Sequence, residues 1–103
     1  LCWRFWEMIG QHCQQHREVA FYATQLSITP YYLAQISKAI FNDSPKDLIH
    51  RQVTLEMKTL LVSTTLSIQQ IADQLHFADP AYMCRYFKRQ TGISLSQYRR
   101  QGI

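Results

Sequence analysis

Displaced by 49 positions, the chain matches itself: Val19 falls on Ile68, Tyr22 on Ile71, Ala23 on Ala72, Gln25 on Gln74 and Leu26 on Leu75. One inserted residue changes the offset to 50. Pro30 then falls on Pro80, Tyr32 on Tyr82, Leu33 on Met83, Lys38 on Lys88, Ser44 on Ser94 and Leu48 on Tyr98. Helical periodicity alone repeats apolar residues, but it does not repeat Pro, Tyr, Lys and Ser in register with them. The chain is therefore read as two copies of one unit.

The unit is helical. Proline occurs only at 30, 45 and 80 and glycine only at 10, 92 and 102, and no sustained alternation of β-branched residues is present. A first helix over about 2–14 repeats Trp3, Trp6, Ile9 and Cys13 on one stripe; a second, over about 18–26, carries Val19, Tyr22, Ala23 and Leu26. Thr29 caps a third helix opened by Pro30, with Leu33, Ile36 and Ile40 on one face. Ser44 and Pro45 open a long helix to about 62, with Leu48, Ile49, Val53, Leu55, Leu60 and Leu61 as its apolar set. Ser67 caps a fifth helix (Ile68, Ile71, Ala72, Leu75), Asp79 and Pro80 open a sixth, Gly92 stops it, and Ser94 caps a last helix carrying Tyr98. The expected fold is all-α: seven helices forming two helix-turn-helix subdomains joined by a long linker helix. Residues 1–45 make the first unit, 46–63 the linker and 64–103 the second.

Each copy is a helix of about eight residues, a short turn ("LSIT" or "LHFAD") and a second helix opened by proline. In a helix-turn-helix that second helix can lie in the major groove of DNA. Ala23 and Ala72 permit close helix approach, and Ser27 and His76 stand where a left-handed backbone is often needed; His is among the residues that tolerate it. In "FADPAYMCRYFKRQTG", residues 77–92, Met83, Phe87 and Tyr86 are placed inward. Ala81, Cys84, Arg85, Lys88 and Arg89 fall on the opposite face. The corresponding outward set on the third helix is Tyr31, Ala34, Gln35 and Lys38. Arginine suits bidentate contact with guanine and glutamine with adenine, whereas Lys38, Lys88 and Arg89 suit phosphates. Amides following Pro30 and Pro80 are further candidate phosphate donors. The long helix, roughly 25 Å at ~1.5 Å per residue, suits holding two such helices in successive grooves.

Charge agrees. Residues 1–80 carry six Lys or Arg against seven Asp or Glu; residues 81–103 carry Arg85, Lys88, Arg89, Arg99 and Arg100 against none. A basic end on a near-neutral body suggests an anionic partner. The first unit is less basic, so it is expected to contribute more through shape and a few polar contacts, and the second more electrostatic affinity.

The stretch "LSIQQIADQLHFADPAYMCRYFKRQTGISLSQYRR", residues 66–100, resembles the signature of the AraC/XylS family of bacterial transcription regulators. Ile71, Ala72, Leu75, Phe77, Tyr82, Arg85, Phe87, Lys88, Gly92, Tyr98 and Arg99 carry the match, and residues 19–48 resemble the family's first, more variable unit. His76 departs from the usual glycine, Leu95 from the usual proline and Ser37 from the usual phenylalanine, which puts the seating of the third helix in question. The resemblance implies sequence-specific binding of double-stranded DNA by Tyr31, Ala34, Gln35, Lys38, Ala81, Cys84, Arg85, Lys88 and Arg89. It also implies transcription activation through RNA polymerase, a cytoplasmic location, and an N-terminal effector or dimerisation domain outside this chain. The start at Leu1 rather than Met suggests a piece of a longer protein.

Blander readings compete residue by residue. Arg85 can bind phosphate or pair within the fold, Tyr31 can pack beside the turn, and Tyr32 and Tyr82 are read as structural. Arg99 is a candidate structural residue. Cys84 is read as a small side chain admitting DNA rather than as a thiol sensor. His12 and His16 have metal-ligand spacing, with Cys13 adjacent and Cys2 a fourth candidate, but Cys13 also continues the apolar stripe, so neither metal nor cofactor is expected. Three cysteines without disulfide spacing fit a reducing compartment. No run is long and apolar enough to span a membrane, and neither a phosphate-binding glycine loop nor a G-x-S-x-G is present, so an enzyme is not expected. The competing class is a basic helical adaptor for an acidic protein or membrane surface, which accounts for the charge but not for the repeat.

Overall fold

A computed structural model describes residues 2–101, with the side chain of Cys2 outside the description. Among the described residues there are seven helices and no strand: α1 Cys2–His12, α2 Val19–Gln25, α3 Pro30–Phe41, α4 Pro45–Ser63, α5 Ile68–Gln74, α6 Pro80–Thr91 and α7 Leu95–Gln101. They divide into two compact units, Leu1–Gln52 and Val53–Ile103, and the division in the chain falls within α4.

The sequence repeat is also a repeat of backbone devices. At the end of α2, Ser27 is left-handed (φ 59°) and the Ile28 amide donates to the Ala23 carbonyl at 3.0 Å. At the end of α5, His76 is left-handed (φ 60°) and the Phe77 amide donates to the Ala72 carbonyl at 2.9 Å. Both are Schellman closures, in which a left-handed residue lets the next amide reach back to an orphan carbonyl. Thr29 and Asp79 then accept from the amides of Tyr32 (3.1 Å) and Tyr82 (2.7 Å), with Pro30 and Pro80 in the first turn. Asn42 (φ 57°) and Gly92 (φ 86°) end the second helix of each unit in the left-handed region. Ser44 and Ser94 cap α4 and α7 by accepting from Asp47 and Gln97, each at 3.1 Å. Ser67 opens α5 with a reciprocal capping box to Gln70.

In the first unit Phe5, Ile9, Cys13, Tyr22, Ala23, Leu26, Leu33, Leu48 and Ile49 are buried. Phe5 meets Tyr22 edge to face at 5.7 Å, and the Tyr22 hydroxyl donates to the His16 carbonyl at 2.7 Å, tying the α1–α2 loop to the core. The expected α1 stripe is corrected at its tryptophans: Trp3 is 71% exposed and Trp6 46%, while Ile9 and Cys13 face inward as expected, with Phe5 before them at four-residue spacing. Trp6 instead stacks on Phe41 at 5.7 Å. Ile40 is 60% exposed; the inward row of α3 runs Leu33, Ile36, Ser37 because that face closes on Ser37 rather than continuing to 40.

Ser37 is fully buried, and its hydroxyl donates to the Asp43 carbonyl at 2.6 Å. The repeat places Phe87 at the equivalent position of the second unit, also fully buried. A polar side chain here is seated by binding the chain reversal after α3.

The second unit buries Val53, Met57, Leu61, Ile71, Ala72, Leu75, Phe77, Met83, Tyr86, Phe87 and Leu95. On α4 the inward row is 49, 53, 57, 61, one residue per turn. Met57 belongs to it, and Leu55, expected inward, is 53% exposed because it falls half a turn away. Phe77 packs on Tyr86 at 5.3 Å and Phe87 on Tyr98 at 5.7 Å. Leu95, which replaces the family's usual proline, is 2% exposed at the start of α7, as Pro45 is buried at the start of α4.

Candidate nucleic-acid interface

The residues that hold α6 in place and those that could meet a ligand separate cleanly. Met83, Tyr86 and Phe87 are buried, whereas Ala81, Cys84, Arg85, Lys88 and Arg89 are exposed. The α3 helix divides the same way: Leu33 and Ser37 are buried, and Tyr31, Ala34, Gln35 and Lys38 are exposed. Within each unit, all the expected outward positions thus lie on the free face of the second helix of the helix-turn-helix.

The basic block of the sequence is not uniform once folded. Arg99 is turned into its own unit, where Nε donates to the Leu61 carbonyl at 3.1 Å and Nη2 to the Thr64 carbonyl at 3.4 Å. These carbonyls belong to the last turn of α4 and the residue beyond it, groups a helix cannot satisfy internally. Arg89 lies over the Tyr86 ring, 5.9 Å from its centroid, a cation–π contact that leaves the residue exposed. Arg85 and Lys88 make no hydrogen bond or ion pair among the described residues, where the ion pair found is Arg51–Asp43 in the other unit. Their charge is therefore available to an external anion.

The helix N-termini offer less than the sequence suggests. The Tyr32 and Tyr82 amides are taken by the caps, and Leu33 and Met83 donate to the carbonyls of Thr29 and Asp79. Among the amides closely following the prolines, those of Tyr31 and Ala81 remain without a protein acceptor. Tyr32 and Tyr82, read as structural, are 49% and 39% exposed; Tyr82 nonetheless rests its ring against Phe77 at 5.8 Å.

One element of the face was missed in the sequence. Gln35 Nε2 donates to the Tyr31 hydroxyl at 3.2 Å, joining two outward residues one turn apart. Their i, i+4 spacing was the available signal, since that interval brings side chains together on a helix.

The other candidate clusters have ordinary places. His16 stacks on Phe21 at 3.8 Å and His12 meets the same ring edge-on at 5.5 Å, while Cys13 is fully buried. Among the described residues no group of three or more His, Cys, Asp or Glu converges as a metal site would require. Cys84 is exposed with a free thiol. None of the described helices is long and apolar enough to cross a membrane.

Comparison with known proteins gives the same architecture. A solved structure of the C-terminal domain of AraT, a response regulator from Geobacillus stearothermophilus, matches with a TM-score of 0.85 and 29% identity, covering 95% of this chain and 82% of that one. The DNA-binding domain of AdpA, solved in complex with a target DNA, matches with a TM-score of 0.82 at 19% identity, over 95% of this chain and 88% of that one, a likeness of fold. In sequence, the HTH-type transcriptional regulator YijO of Escherichia coli K12 is 32% identical over 74 residues, 72% of this chain and 26% of that protein. The chain spans between 26 and 33% of the length of the curated relatives it matches. The family model described as "Helix-turn-helix domain" matches residues 22–101, which takes in both copies of the repeat. The chain belongs to the AraC/XylS family of helix-turn-helix regulators.

Proposed function

We propose that this chain binds double-stranded DNA sequence-specifically as the DNA-binding part of a transcription regulator. In this reading α3 and α6 enter successive major grooves. The observation that carries it is the duplicated free face: Tyr31, Ala34, Gln35 and Lys38 on α3 match Ala81, Cys84, Arg85 and Lys88 on α6, all exposed, and Arg89 adds a further exposed charge on α6. Unpaired Arg85 and Lys88 supply one base-reading fork and one phosphate-binding charge. Gln35 supplies a donor and acceptor suited to adenine, and Lys38 a second phosphate contact. The small Ala34, Ala81 and Cys84 let the helices approach the groove.

Membership of the family supports a wider reading. Residues 1–45, 46–63 and 64–103 act as first reading unit, linker and second reading unit. The chain works in the cytoplasm of a bacterium beside an effector-binding or dimerisation domain, and activates transcription by contacting RNA polymerase.

Selection from random duplexes, at a stated salt concentration, tests the reading. Sequence-specific binding enriches a motif with two boxes about one helical turn apart. The basic-adaptor alternative predicts no enrichment, with retention on acidic lipid or protein instead; that result would overturn the proposal.

A further inference from the structure

The Tyr31–Gln35 hydrogen bond is a device for fixing what Gln35 can read. A glutamine amide has an acceptor oxygen and a nitrogen with two donors, and three torsions that let it present either end. In α3 the nitrogen is committed, because Nε2 donates to the Tyr31 hydroxyl at 3.2 Å. That leaves the Oε1 acceptor and the second N–H, side by side on the planar amide, for an outside partner. That pair complements the N6 donor and N7 acceptor of adenine, and not the two acceptors of guanine. Tyr31 is itself 73% exposed, so the pair is open to a groove.

The second unit lacks the device and has no need of it. The repeat sets Ala81 opposite Tyr31 and Arg85 opposite Gln35. A guanidinium is a planar fork with donors at fixed angles, so it requires no neighbour to define its pattern. Gln35 is shorter and its amide ambiguous, and it alone of the two has a tyrosine hydroxyl one turn before it.

Resting on the DNA-binding reading above, we infer that Tyr31 is a specificity-positioning residue: its hydroxyl orients the Gln35 amide so that α3 selects an A·T pair at one position of the operator. In water an exposed hydrogen bond of this kind is weak. In a groove from which water is excluded, its loss leaves an amide free to turn and to accept the wrong base pair.

The test uses the intact chain, the duplex obtained by selection, and duplexes changed at each base pair in turn, with Tyr31→Phe, Gln35→Ala and the double variant. Tyr31→Phe keeps the ring and removes only the hydroxyl. It should lower discrimination for A·T at one position by roughly threefold to tenfold, an energy within reach of one hydrogen bond. Gln35→Ala should abolish preference at the same position, and adding Tyr31→Phe to it should change preference there no further. In the free protein, Tyr31→Phe should also shift the Gln35 side-chain amide resonances. Equal weakening of every duplex by Tyr31→Phe, additive with Gln35→Ala, would make Tyr31 an independent phosphate ligand and overturn the inference. So would unchanged discrimination. If the unaltered chain enriches no duplex, the DNA-binding reading has failed, and this inference with it; if it enriches a motif that Tyr31→Phe leaves intact, only this inference has.

Discussion

Ser37 donates a 2.6 Å hydrogen bond to the carbonyl of Asp43, and so links the middle of α3 to the reversal that starts α4. The Asp43 carboxylate extends the link by accepting from the Ser44 amide at 3.1 Å and pairing with Arg51. Where the second unit packs the Phe87 ring, the first uses this polar tie. The cost of breaking it is that of a buried donor lost to a carbonyl.

Ser37→Ala should therefore destabilise the first unit by roughly 1–3 kcal/mol. Arg51→Ala, at a side chain 69% exposed, should cost at most about 1 kcal/mol. Phe87→Ala, which empties a fully buried ring site, should cost the second unit roughly 3–5 kcal/mol. Chemical denaturation followed by tryptophan fluorescence reports the first unit, since Trp3 and Trp6 both lie there. Hydrogen exchange of the α5–α7 amides reports the second. Comparable losses for Ser37→Ala and Arg51→Ala would show that the tie is a surface contact.

The left-handed positions make a second prediction. His76 sits at φ 60° with a side chain already exposed, so its replacement tests backbone strain more than packing. His76→Asn should be near neutral, because Asn tolerates this region. A β-branched His76→Val should cost roughly 1–3 kcal/mol. Gly92 is at φ 86° with open space around an added Cβ, so Gly92→Ala should cost roughly 1–2 kcal/mol from conformation alone. Melting temperatures of the three variants rank them. If the His76→Val variant melts with the original chain, the turn opens without consequence and the strain argument fails.

These positions also show what a sequence can disclose about such a fold. The repeat discloses the helices, their caps and the turn at Ser27 and His76, because each rests on short-range chemistry that the residues themselves carry. Asn42 gives no comparable signal as the left-handed partner of Gly92, since Asn serves equally in caps and loops. The inward face of α1 reads from the sequence as Trp3, Trp6, Ile9 and Cys13; Ile9 and Cys13 are buried, and the structure turns the two tryptophans away. Two tryptophans dominate any apolar stripe, yet Phe5 is the ring that finds Tyr22. Ile40 and Leu55 mislead for the same reason: an apolar residue off the buried row is ordinary on a surface. The free faces of α3 and α6 are legible because buried neighbours fix them by helical geometry. The Tyr31–Gln35 bond and the inward turn of Arg99 depend on rotamers, which spacing permits but does not choose.

Arg99 separates a structural charge from a ligand-binding one. Its guanidinium reaches two carbonyls, Leu61 and Thr64, at the end of α4. Arg99→Lys keeps the charge but loses the two-pronged geometry. It should lower the stability of the second unit by roughly 1–3 kcal/mol, seen as faster exchange of the α7 amides, and leave the salt dependence of DNA binding unchanged. A reduced salt slope with undiminished stability would place Arg99 on the phosphate backbone instead.

Arg85 and Lys88 should fail in different ways, although both are exposed, unpaired cations on one face of α6. Their spacing of three residues puts them on adjacent turns, so one can reach a base edge while the other meets the backbone. Arg85→Ala should cost ~1–3 kcal/mol on the selected duplex and relax preference at one base pair, because the guanidinium's fixed fork reads guanine O6 and N7 together. Lys88→Ala should weaken all duplexes alike and lower the slope of log affinity against log salt by about one, the signature of a single phosphate contact. Titrations at several salt concentrations, against the selected duplex and against one scrambled at each box, resolve the two. Equal, sequence-independent losses for both variants would reduce Arg85 to a second phosphate ligand, and base reading would then rest on the α3 face, where Gln35 and Tyr31 stand.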